Sequence, residues 1–96
     1  MSDVNYRDNY KYRHIATTTT TDVSSVAGSL VMITVNTAAA GSVTVYDASS
    51  GNTTATIAIL KASVVEATYH YNLRVANGIQ IVTAANTDLT VVYTTV

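Results

Sequence analysis

The chain has 96 residues, no cysteine and a net charge of −1, so it reads as one small domain without a disulfide framework or a thiolate metal site. A pI near 6.0 gives no electrostatic reason to bind nucleic acid or an anionic membrane. No run approaches the roughly 18 apolar residues of a membrane span, and the polar, charged first dozen residues do not read as a secretory signal.

Residues 1–13, MSDVNYRDNYKYR, hold Asp3, Arg7, Asp8, Lys11 and Arg13 and show no apolar periodicity. They read either as an N-terminal arm ordered by a partner or as a frayed terminus. In the first case Tyr6, Arg7, Tyr10, Tyr12 and Arg13 are the partner-binding residues, because Tyr and Arg are the side-chain types that anchor interfaces. Residues 14–96 follow as a β-sandwich domain. HIATTTTT is a candidate first strand, since Thr is stiff at χ1 and favours the extended chain. Asp22–Gly28 reads as a bend. SLVMITVN sets Leu30, Met32 and Thr34 against Val31, Ile33 and Val35. TAAAG turns the chain, SVTVYDA places Val43 and Val45 on one face, and SSGN turns it again. TTATIAIL places Ala55, Ile57 and Ile59 on one face. KASVVEA carries weaker signals and reads as a connection or a short helical turn. TYHYNLRV sets Tyr69, Tyr71 and Leu73 against His70, Asn72 and Arg74. Asn77-Gly78 between alternating runs predicts a type I′ hairpin, with IQIVTA returning, ANTD turning and LTVVYTTV as the last strand. About seven strands at this spacing predict an antiparallel sandwich of jelly-roll type.

Beyond residue 13 the charges are only Asp22, Asp47, Lys61, Glu66, Arg74 and Asp88. Such depletion marks the centre of a protein–protein interface; the alternative is a surface solubilised by Thr, Ser and Asn. SLVMITVN and LTVVYTTV are uncharged, and the chain has no proline. On an open sheet edge such segments invite aggregation. They must therefore be central, or be covered by another subunit.

Catalytic constellations are hard to assemble from these residues. His14 and His70 have no metal-ligand spacing and read as strand residues. Lys61, Glu66, Tyr69 and His70 lack a nucleophile with a positioned base. There is no serine elbow, and the four glycines stand singly at turns, so no phosphate loop forms. Asn52-Thr53-Thr54 matches a glycosylation sequon, a chance match if no secretory signal is present. The threonines follow no repeat of the kind an ice-binding coil needs. No cofactor is expected, and the reading is non-enzymatic.

The stretch VMITVNTAAAGSVTVYD (31–47), with ATIA (55–58), TYHYNLRVANGIQIVTA (68–84) and DLTVVY (88–93), resembles small all-β virion proteins of tailed bacteriophages: capsid decoration (cement) proteins, head fibres and tail-associated proteins. The resemblance covers about residues 28–96 and is one of pattern and composition. It implies a structural protein of the virion without enzymatic activity, acting as a homo-oligomer, a trimer ahead of a dimer, with the major capsid protein as partner of the arm. An alternative within the same resemblance is a tail-fibre or receptor-binding module touching glycans through Tyr46, Tyr69 or Tyr71.

Overall fold

In the computed structural model, which describes residues 10–49 and 55–96, the Thr-rich stretch is a crossing between two sheets. Strand β1 (Lys11–Ile15) ends before the run and β2 (Thr20–Ser24) begins inside it. Six further strands follow: β3 (Gly28–Thr37), β4 (Val43–Tyr46), β5 (Thr56–Leu60), β6 (Thr68–Val75), β7 (Ile79–Val82) and β8 (Asp88–Thr95). They form two four-stranded antiparallel sheets, β1-β8-β3-β6 and β2-β7-β4-β5, packed as a sandwich. The described residues thus hold eight strands, one more than the periodicity predicts, because HIATTTTT splits in two. The crossing is held by Thr83, whose hydroxyl donates to the Thr17 carbonyl at 2.5 Å and accepts from the Thr19 amide at 2.9 Å.

Pairing is nested. β1 runs against β8, β2 against β7, β3 against β6 and β4 against β5. Contacts of β3 with β8 and of β4 with β7 then complete the sheets. Every connection except β4–β5 therefore passes from one sheet to the other. This corrects the hairpin expected at Asn77-Gly78. A type I′ turn needs positive φ at both central residues, and here Gly78 has φ 146° while Asn77 is not in that region. The pair instead carries the chain between layers. The Asp47 carboxylate accepts the amides of Ala76 at 3.0 Å and Asn77 at 2.8 Å. A Cβ on Gly78 would collide with the Ser24 carbonyl oxygen, so close approach and backbone angle both require glycine there.

The core lies between the sheets and is aliphatic: Ile15, Leu30, Ile33, Val35, Val45, Val75, Ile79, Ile81, Leu89 and Val91 are all buried. Each such side chain contributes roughly 1.5–3 kcal/mol by leaving water. Tyr69, Tyr71, Leu73 and Tyr93 pack against its rim. Two of the register irregularities decide which side chains reach the core. Between Leu30 and Met32 the register of β3 against β8 slips by one residue, so Leu30, Ile33 and Val35 face the core together. On β5 the register slips beside Tyr46; Leu60 is buried, and Ile57 and Ile59, expected on one face, part, with Ile57 packed against the core and Ile59 exposed to solvent.

SLVMITVN and LTVVYTTV become β3 and β8, the two inner strands of the first sheet. Of the two ways to protect them, the internal one holds. Their β-propensity therefore no longer argues for a second subunit.

Candidate functional site

Strand register builds a continuous outward face on the first sheet. Tyr12 stands opposite Val92, Val92 opposite Met32, and Met32 opposite His70, one row across all four strands. The next row runs His14, Thr90, Thr34, Thr68. Alternation points these side chains away from the core, because Ile15, Val91, Ile33 and Leu89 point into it. The eight residues include no carboxylate, lysine or arginine. Met32, Thr34, Thr90 and Val92 are half-buried by their neighbours, whereas Tyr12 is 73% exposed at the rim. Thr34 and Thr68 share a side-chain hydrogen bond of 2.9 Å, a cross-strand pair that satisfies polar groups without adding charge.

One carboxylate borders this face. Asp88 lies 2.6 Å from His14 Nε2 and accepts a bond from Asn36 Nδ2 at 3.1 Å. The hydrogen bond from His14, then that from Asn36, holds its carboxyl below the usual range. At the opposite crossing, burial pushes Asp47 upward, but the amides of Ala76, Asn77 and Gly78 together outweigh it and lower it.

The arm residues separate. Tyr6 and Arg7 lie outside the described residues, and Tyr10 directly precedes β1. Tyr12 and Arg13 belong to β1, so the boundary expected after residue 13 falls inside a paired strand: Lys11 stands opposite Tyr93 and Arg13 opposite Val91. Consecutive strand residues point to opposite faces. Tyr12 joins the outward row, while Arg13 lines a polar groove of about 530 Å³ with His14, Thr17, Thr19, Thr20 and Asp22.

The catalytic candidates do not converge. His14 and His70 sit on opposite edge strands of one sheet and in different rows, about 16 Å apart at normal strand spacing and rise. Glu66 accepts the Ala38 amide at 3.1 Å, and the Tyr69 hydroxyl donates to the Val65 carbonyl at 2.5 Å. Tyr69 faces the core while His70 faces out. Among the described residues no three His, Cys, Asp or Glu side chains gather. The glycan-contacting tyrosines also divide. Tyr69 and Tyr71 pack against the core, and burial followed by the nearby Tyr69 raises the Tyr71 hydroxyl. Tyr46 faces outward from the second sheet, opposite Gln80. The Asn52 sequon lies outside the described residues.

Gln80 carries no signal in the sequence and is the least expected side chain here. It points outward from the second sheet between Ile79 and Ile81, yet is 1% exposed. Its Nε2 donates to Asp22 at 2.9 Å, and its Oε1 is buried without a partner.

Comparison of the chain with protein-family models, with curated proteins and with solved structures finds no match.

Proposed function

We propose that this chain is a non-enzymatic structural protein of a tailed-bacteriophage virion that decorates or cements the capsid as a homo-oligomer. The observation that carries the reading is the outward face of the first sheet, two rows across four strands without a carboxylate, lysine or arginine. A lone surface has little use for such a face, whereas charge depletion suits one that is covered by protein. Tyr12 at its rim is the anchor type that interfaces favour. On this reading the major capsid protein is the partner of Tyr6, Arg7, Tyr10, Tyr12 and Arg13. A jelly-roll arrangement is part of this reading: nested pairing that leaves β1-β8-β3-β6 over β2-β7-β4-β5 is compatible with a long antiparallel ribbon rolled into two layers, and jelly rolls recur in viral capsid proteins.

The test is co-sedimentation with purified capsids of the phage that encodes the chain. Wild-type protein is expected to pellet with capsids, and Met32→Glu, which sets a carboxylate in the middle of the face, to stay in the supernatant while remaining folded. Equal pelleting of both proteins removes the face from the mechanism, and no pelleting of wild type removes the capsid reading. Deleting residues 1–9 leaves β1 in place and isolates the arm.

The groove beside β1 favours a second reading, a receptor-binding module on a tail fibre. Arg13, Asp22 and the threonines offer donors and acceptors of the kind that saccharide hydroxyls use. Glycan binding lost on Arg13→Ala, with protein found on purified tails, decides for it.

A further inference from the structure

The two sheets have four edges: β1 and β6 on the first, β2 and β5 on the second. Open edges invite pairing with another chain, and charges or bulges usually discourage it. β1 carries Lys11, Arg13 and His14. β6 carries His70 and Arg74, and Asn72 has a φ of 49° where its register against β3 slips. β2 carries Asp22 and slips in register between Asp22 and Ser24. β5, with the sequence TIAIL, carries no charge. Its one slip lies beside Tyr46, so Ala58, Ile59 and Leu60 stay regular opposite Val45, Thr44 and Val43. Ile59 is 58% exposed on that strand, and the connection leaving it carries Val65, 74% exposed.

We propose that β5 is the self-association edge: two copies pair their β5 strands antiparallel about a two-fold axis near Ile59, joining two four-stranded sheets into one. Charge selects a second copy as the occupant. In a two-fold pairing each strand meets itself, and like charges directly opposite destabilise a strand pair. Self-pairing at β1 sets Lys11 against Arg13, at β6 it meets Arg74 and the irregular backbone at Asn72, and at β2 it brings Asp22 towards its own copy. β5 alone meets itself without repulsion, and it offers no charge by which to choose a different protein. The pairing covers Ile59 on both copies and satisfies backbone groups that otherwise face water.

This inference rests on the homo-oligomer part of the proposed function and not on the virion part. It makes the unit a dimer, against the trimer implied by the resemblance.

The chain has no cysteine, so Ile59→Cys supplies a single thiol. Directly opposed antiparallel residues have Cα atoms about 4.5–5.5 Å apart, within reach of a disulfide. Mild oxidation of Ile59→Cys is expected to give a covalent dimer on a denaturing gel, and His70→Cys on the β6 edge to stay a single chain. Light scattering is expected to give wild type twice the 10.1 kDa chain mass and Ile59→Lys the single mass, with an unchanged far-ultraviolet spectrum. An oligomer whose mass survives Ile59→Lys and whose Ile59→Cys form does not cross-link overturns the β5 edge and leaves the homo-oligomer standing. A wild-type monomer overturns both. A β5 dimer that ignores capsids upholds this edge and overturns the virion reading.

Discussion

The two sheets use their outward positions differently. On the first, the row His14, Thr90, Thr34, Thr68 is open at both ends and partly open in the middle, and its polar groups bond sideways along the sheet. On the second, the row Asp22, Gln80, Tyr46, Thr56 holds a glutamine sealed from water and bonded to Asp22. The difference teaches that pointing away from the core does not fix exposure. The first face stays partly open to solvent, whereas the second has an internal polar contact, and a buried acceptor without a partner costs about 1–3 kcal/mol.

The largest effects should fall on the shared core and be indifferent to which face lies behind it. Ile33→Ala and Ile81→Ala are each expected to cost about 2–5 kcal/mol in denaturant unfolding, while Met32→Ala, beside Ile33 but outward, should cost less than about 1 kcal/mol. Equal losses at residues 32 and 33 would mean that the outward face of the first sheet is itself part of the fold's core. Next in size, Asp47→Ala strips two amides at the β6–β7 crossing of a charged acceptor and should cost about 1–3 kcal/mol. Its pH dependence has a fixed sign. Asp47 and Asp88 are both lowered in the folded state, so their contributions are present above the unfolded value near 3.9. They are lost as pH falls through the depressed folded values. Acid unfolding of Asp47→Asn should therefore be shallower than that of wild type below about pH 4. Gln80→Met keeps the volume and removes the orphaned acceptor. It is expected to raise stability by about 1 kcal/mol, and a loss instead would show that the Asp22 bond outweighs the orphan. Smallest of all, His14→Ala removes an exposed pair with Asp88 and should shift the unfolding midpoint by less than the error of a single measurement at physiological salt.

Period-two patterning made most of the strands legible, and the inward set Tyr69, Tyr71, Leu73 on β6 follows it directly. The layer to which each strand belongs was not legible. Asn77-Gly78 announces a reversal, but a reversal within a sheet and one between sheets start from the same local chemistry, and what separates them is Asp47, 29 residues from Ala76. The slips beside Met32 and Tyr46 likewise arise from pairing partners and leave no mark on the strand that carries them, so Ile57 and Ile59, expected on one face, differ in burial. For the surface, charge counting found that the body is poor in carboxylates. Register was needed to show that the charge-free positions of β1, β8, β3 and β6 line up. Alternation alone would have separated Tyr12 from Arg13, once residues 11–15 were seen as strand.

Nested pairing also orders events in time. β4 and β5 meet across a short span, with Tyr46 opposite Thr56, whereas His14 finds Asp88 across 74 positions. Closing the longer loop unaided costs about 2 kcal/mol more than closing the shorter one, so each inner pair that forms first eases the next one out. The chain should close from its middle towards its ends, slowly, on the millisecond-to-second scale of non-local β topologies. β1 would then be the last strand to dock, and the outward face of the first sheet would reach full width only when folding is otherwise complete.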